Sequence, residues 1–153
     1  AENLIKSKLK NYTIYRIPLV LSDSLYETFM YHGKRNDLMD VVTKEDCAYA
    51  FVKGIKYSDE LNRKTFNVAG EIPVVYGNVL DRLLEYNGLS FKYVSARLFL
   101  EKDYVSPVCS DRDELENIIH FRNDSLAQYY KRIKQKRGNK RKINRLLAKV
   151  LVK

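Results

Sequence analysis

Cysteine and histidine are scarce in this chain: Cys47 and Cys109 lie far apart, and His32 and His120 are the two histidines. No histidine stands at ligand spacing from either cysteine, which argues against a disulfide framework and against a zinc site and leaves free buried thiols as the expectation. Glycine is sparse too. Among six glycines no Gly-x-x-Gly-x-x-Gly or Gly-x-Gly-x-x-Gly spacing occurs, so the usual backbone cradle for a pyrophosphate is missing. No apolar run approaches the roughly 18 residues that a membrane-spanning helix needs. The opening Ala1-Glu2-Asn3-Leu4 has neither the basic start nor the apolar middle of a signal peptide, and a cytoplasmic protein is expected.

The residues that are present suffice for a folded body. A length of 153 residues with 45% hydrophobic and 12% aromatic content fits one ordinary domain with a buried core. The net charge of +9 suggests a nucleic-acid partner until its position is considered. Residues 131–153 hold eleven Lys or Arg and no Asp or Glu, which leaves seventeen basic against nineteen acidic residues over 1–130. The body is slightly acidic, and the positive charge belongs to a C-terminal appendage.

Along the chain, Glu2 to Lys10 reads as the last turns of a helix, with lysines where its C-terminal dipole favours them; the chain is expected to begin in mid-element. Tyr12-Thr13-Ile14-Tyr15-Arg16-Ile17, ended by Pro18, reads as a buried parallel strand whose loop runs through Leu19-Val20-Leu21-Ser22. Ser22, Asp23 and Ser24 can cap a short helix carrying Leu25, Phe29 and Met30 that stops near Gly33. Asp37 to Val42 is an extended piece leading to a helix that runs to about Tyr57, capped by Thr43 and answered by Asp46 in a capping-box variant. Lys64 to Gly70 is a second strand. After Pro73, Tyr76, Val79, Leu80, Leu83 and Leu84 fall at helical spacing and Asn87-Gly88 closes the helix. Ser110 with Asp113 can start a helix bearing Leu115, Ile118 and Ile119, and Asp124-Ser125 another bearing Leu126, Tyr129, Tyr130 and Ile133. Beyond Gly138-Asn139, residues Ile143, Leu146, Leu147, Val150 and Leu151 share one face of a basic amphipathic helix. Strand and helix alternate with crossovers too long for hairpins, which predicts a parallel α/β fold.

Three segments in succession carry a resemblance. Thr13-Ile14-Tyr15-Arg16-Ile17-Pro18-Leu19-Val20-Leu21 is similar to an "ILRxxxVYG" strand and loop, Val41-Val42-Thr43-Lys44-Glu45-Asp46-Cys47-Ala48 to "FIHVDDVA", and Thr65-Phe66-Asn67-Val68-Ala69-Gly70 to "YNVGGG". In this order, with an amphipathic helix after the third, they resemble the C-terminal half of extended short-chain dehydrogenases/reductases, the NAD-dependent epimerase/dehydratase family. The resemblance covers about residues 1–90; Phe121 to Leu126 followed by Tyr129 is similar to the tail of some members. It implies the C-terminal portion of a Rossmann-like parallel sheet with a helical substrate-side lobe over residues 1–95, a helical extension over 96–137 and a basic tail helix over 138–153.

The resemblance further implies that Pro18, Leu19 and Val20 lie beside the nicotinamide carboxamide of NAD or NADP and that Ser22 faces the reacting sugar of a nucleotide-sugar-like substrate. Asp46, Asn67 and Arg16 are expected in architectural roles: Asp46 orienting its helix, Asn67 tying its strand to a neighbouring loop, Arg16 pairing with a carboxylate near the sheet end. It places the catalytic Tyr-x-x-x-Lys just before Ala1, so this chain alone is expected to bind no cofactor and to turn over no substrate. A complementary N-terminal half on another chain would complete it, and the exposed sheet edge would favour that pairing or self-association.

Other constellations rank lower. Ser22 or Ser24 with His32 and Asp40 supply the residue types of a hydrolase triad, but no nucleophile-elbow pattern accompanies them. The twelve tyrosines fit core packing better than base stacking. The alternative to an enzyme portion is a non-catalytic interaction module whose basic tail, 139–153, docks on a membrane surface, with nucleic acid ranked below.

Overall fold

Proline has no N–H to give a ladder, so Pro18 divides the first extended segment into two strands. A computed structural model of the chain describes residues 1–22, 33–90, 108–136 and 138. In chain order its elements are helix α1 (Glu2–Lys8), strands β1 (Thr13–Arg16), β2 (Leu19–Leu21), β3 (Leu38–Met39) and β4 (Val41–Thr43), helices α2 (Lys44–Lys56) and α3 (Ser58–Leu61), strands β5 (Lys64–Asn67) and β6 (Val74–Val75), and helices α4 (Tyr76–Tyr86) and α5 (Glu114–Ile119). A further helix, α6, covers 126–136. The expected helix carrying Leu25, Phe29 and Met30 and the basic helix beyond Asn139 lie outside the described residues, as do the boundaries expected at residues 95 and 137.

Contacts divide the chain into two compact units. One is built from Ala1–Leu21, Asp40–Pro73 and Pro107–Ser125, the other from Ser22–Met39, Val74–Ser106 and Leu126–Lys153.

The first unit is mixed α/β with parallel strand pairs. β1 pairs with β5 from Thr13↔Lys64 to Arg16↔Asn67, and β2 pairs with β4 from Leu19↔Val41 to Leu21↔Thr43. Both pairings are parallel, so both depend on long crossovers, as the alternation of strand and helix predicts. Their core is Val42, Ala50, Leu61, Phe66, Val68, Leu115, Ile119 and Phe121, with Tyr15, Val20 and Cys47 packed against it. Two expectations are corrected. β1 is half-buried with an exposed Arg16 instead of fully buried. Leu19–Leu21, expected as loop, is strand, because Val41–Thr43 offers a parallel partner that draws Leu21 into the interior.

One glycine sets how closely the second and third motif segments approach. The Gly70 N–H donates to the Val41 carbonyl at 2.8 Å, and a Cβ at position 70 would stand 2.7 Å from that same oxygen. At the other end of β4, Thr43 caps α2 as expected: its Oγ1 accepts from the Asp46 N–H at 3.3 Å.

The second unit holds an antiparallel pair, β3 with β6, where a wholly parallel fold was expected. The first N–H groups of α4 find main-chain acceptors on the segment before β3: Tyr76 donates to Asp37 O at 2.9 Å and Gly77 to Arg35 O at 2.8 Å. These bonds replace a side-chain cap, which α4 lacks, and bring β6 alongside β3. Tyr76, Val79, Leu80, Leu83 and Leu84 are all buried, as their spacing predicts, and the helix stops where Asn87 donates its Nδ2 to Leu83 O and Gly88 adopts a φ of 78°. On α6, Tyr129 and Ile133 are buried and the Tyr130 ring lies 6.1 Å from that of Tyr86. No helix among the described residues is long and apolar enough to cross a membrane.

Gly70→Ala forces its methyl against a backbone oxygen that cannot swing away. It is expected to cost about 1–3 kcal/mol, read as a lowered urea midpoint; a midpoint unchanged from the parent would contradict the close approach.

Candidate functional site

Two carboxylates flank β4, and both reach across to one later segment. Asp40, just before the strand, has a side chain with no exposed surface; its Oδ2 accepts the Cys109 N–H at 2.6 Å. Its Oδ1 lies 3.0 Å from Nη1 of Arg112, whose side chain is 14% exposed. That contact falls outside directed hydrogen-bond geometry, so it acts as a charge pair. Asp46, in the first turn of α2, accepts the N–H groups of Asn123 and Asp124 on Oδ1 at 2.8 and 2.9 Å. The two acids therefore hold both ends of residues 109–124.

Between those ends the segment is fastened again at the carboxyl end of β5. Asn67 donates its Nδ2 to both oxygens of Asp111 at 2.8 and 2.9 Å, which is the tie to a neighbouring loop expected of it. Arg122 donates from Nε to Ala69 O at 3.0 Å, from Nη2 to Arg112 O at 2.7 Å and from Nη1 to Asp113. Asp113 thus serves Arg122 and makes no side-chain cap on α5, a correction to its expected role. Asp46 is corrected likewise: it does not close a capping box, since its carboxylate is taken by the backbone at 123–124. Arg16 pairs with a carboxylate as expected, donating to both oxygens of Glu2 at 2.7 Å, and this guanidinium holds the Glu2 carboxyl below its usual range.

The residues assigned to cofactor and substrate occupy the junction of β1 and β2. Pro18 lies between the strands, Leu19 and Val20 are in the β2–β4 ladder with Val20 packed on the core, and Ser22 follows directly at the carboxyl end of β2. Ser22 is half-buried and its carbonyl accepts the Tyr129 hydroxyl at 2.7 Å. Of the supposed triad, Asp40 is engaged by Arg112 and Cys109, while Ser24 and His32 lie outside the described residues. The fit to a dinucleotide is partial: Pro18, Leu19 and Val20 include no glycine and no turn of successive N–H groups able to cradle a pyrophosphate.

The spacing Tyr-x-x-x-Lys does occur in the chain, at Tyr49–Lys53 in α2 and Tyr130–Lys134 in α6, after the first motif segment instead of before it. Neither pair has the character of a proton-transfer couple. Lys53 Nζ lies over the Tyr49 ring, 4.8 Å from its centroid, and donates to His120 O at 2.9 Å. Burial first, then neighbouring Tyr86, pushes the Tyr130 hydroxyl up to about 12, opposite to what a proton donor working near neutrality needs. Burial also pushes up both thiols, Cys47 and Cys109, with the Asp40 carboxylate adding to the effect at Cys109, so neither is an activated thiolate. Both cysteines are free and partly exposed. Among the described residues no three His, Cys, Asp or Glu gather to hold a metal ion.

Compared with protein-family models, with curated proteins and with solved structures, the chain matches none.

Two outcomes follow from the flanking acids. Arg112→Ala leaves the Asp40 carboxylate buried without its counter-charge and is expected to cost about 3–5 kcal/mol in denaturant unfolding, most of it recovered when Asp40→Asn and Arg112→Met are combined. Equal losses in the single and the double variant would contradict this pairing. Asp46 runs the other way. Burial, opposed by the two amides and reinforced by the Asp124 and Glu116 charges, raises its carboxyl above the ordinary value, so the folded state binds this proton more tightly than the unfolded chain does. Its contribution to stability is therefore present at low pH and falls as pH rises through the interval from the ordinary to the raised value. Asp46→Asn keeps an acceptor for both amides and removes the charge: measured against wild type, the variant should gain stability across that interval and be no less stable near neutrality, and a loss above about 1 kcal/mol there would contradict it.

Proposed function

We propose that these residues form the substrate-side portion of an NAD(P)-dependent, epimerase- or dehydratase-like oxidoreductase acting on a nucleotide sugar, within a Rossmann-like sheet. One observation carries the reading. The three segments that resemble the family's motifs are hydrogen-bonded neighbours: the first supplies β1 and β2, which pair in parallel with the third and the second respectively, and Gly70 joins the third to the second. Open parallel α/β sheets bind ligands beyond the carboxyl ends of their strands, and Ser22 stands at that end of β2. Its assigned role is to hydrogen-bond the sugar, with Pro18 to Val20 forming the wall beside the nicotinamide.

The same reading assigns this chain binding without turnover. Its buried acids Asp40 and Asp46 are committed to main chain and Arg112, its thiols are protonated near neutrality, and no glycine-rich pyrophosphate cradle is among its residues. A second reading, an interaction module for anionic membrane surfaces, is favoured by one observation: eleven basic and no acidic residues over 131–153.

Calorimetric titration of the purified chain with NAD, NADP and a UDP- or dTDP-sugar separates these readings. The expected result is nucleotide-sugar binding that changes little with salt, is weakened by Ser22→Ala, and is unaccompanied by dinucleotide binding. Clear dinucleotide binding by a monomer overturns the division of labour. Absent sugar binding, together with salt-sensitive adsorption to anionic vesicles, selects the second reading.

A further inference from the structure

A helix packed on a sheet usually turns its charged side to water. α2 does not. Its inner face buries Asp46 and Ala50, while Ala48, Phe51, Val52 and Ile55 are exposed, with Val52 at 64% and Ile55 at 78%. At about 100° per residue these four fall within one third of the helix circumference, so they form a single apolar stripe over about two turns. The stripe is stiff. Val52 and Ile55 are β-branched, and the Phe51 ring is held edge-on by Tyr15, centroids 5.2 Å apart at 87°. Little side-chain freedom remains to be lost when something covers it.

The charges beside the stripe say what covers it. After Lys44, whose Nζ lies 3.8 Å from the Glu45 carboxylate, Glu45 and the buried Asp46 stand in the first turn, and Lys53 and Lys56 in the last. Glu45 and Lys56 lie on the same flank of the stripe, one at each end, since eleven residues return the helix to nearly the same angular position. A two-fold axis that pairs two α2 helices antiparallel maps each helix start onto the other's end and keeps the flank. Glu45 of each copy then faces Lys56 of the other, twice per pair, while the apolar stripes meet in between. A parallel two-fold pair would gather both Glu45 at one end and both Lys56 at the other, on opposite flanks, and would form no such pair. The self-complementary pattern, apolar centre with opposite charges at two-fold-related ends, is that of an isologous interface.

We infer that the exposed face of α2 is a homodimer interface, formed by antiparallel two-fold packing of Ala48, Phe51, Val52 and Ile55 and oriented by reciprocal Glu45–Lys56 pairs. This surface is separate from the residues assigned to ligand binding, and its existence does not depend on that assignment. A single helix face is at the small end of specific interfaces, so association is reversible and concentration-dependent.

Sedimentation equilibrium of the full chain from about 1 μM to about 500 μM reads it directly. The mass should rise from one chain to two across that range. Ile55→Asp, at a position already open to solvent in the monomer, should stay monomeric throughout with an unchanged circular dichroism spectrum and unfolding midpoint. Glu45→Lys should weaken association about tenfold, and Glu45→Lys with Lys56→Glu should restore it to within about threefold of wild type. A wild-type chain that stays monomeric up to the top concentration overturns the inference, as does an Ile55→Asp chain that dimerises as tightly as wild type. Equal weakening in the single and the exchanged double charge variant overturns the antiparallel pairing.

Discussion

Asp40 and Asp46 stand on either side of β4, and between them they hold the two ends of residues 109–124, Asp40 through the Cys109 amide and Asp46 through the amides of Asn123 and Asp124. The rest of the first unit depends on this arrangement. With both ends fixed, α5 lays Leu115 and Ile119 onto Val42, Phe66 and Val68 and closes a core that two short parallel strand pairs could not close alone. The side chains between the fixed ends complete it: Asn67 on Asp111, Arg122 on Ala69, and Arg112 as the counter-charge to Asp40. Burying carboxylates is costly: at Asp40 a main-chain donor and a guanidinium offset the cost, whereas at Asp46 the two amides offset it only in part.

The same constraint shapes what the unit can do. Its buried acids Asp40 and Asp46 are occupied with architecture: their oxygens are taken by main-chain N–H groups and by Arg112. The strap 109–124 passes the carboxyl end of β5 at Asn67 and Ala69, which fixes the strand ends from one side.

Local pattern made much of this legible. Thr43 as a cap and the buried stripe of α4 ending at Asn87-Gly88 follow from spacing and side-chain chemistry, and the carboxylate partner of Arg16 and the loop tie of Asn67 agree with the roles expected of them. The parts that were not legible are long-range. Nothing near Arg112 in the sequence points to Asp40, and nothing near Asp46 says that its carboxylate prefers the amides at 123–124 to its own helix end. The strand character of Leu19–Leu21 likewise depends on a partner that the local sequence cannot show, because a parallel ladder is made by residues brought together through a crossover. The antiparallel β3–β6 pair arises from main-chain bonds at the start of α4, which leave no mark on residue type. The exposed stripe of α2 was hidden by the opposite difficulty: an apolar helix face reads as core until the fold shows which way it points.

Chemical-shift mapping of the isotopically labelled chain with a UDP-sugar tests the functional account most directly. The account predicts shifts centred on the Leu19–Ser22 amides, with residues 131–153 unchanged. Shifts confined to 131–153, or none at saturating ligand, would contradict it.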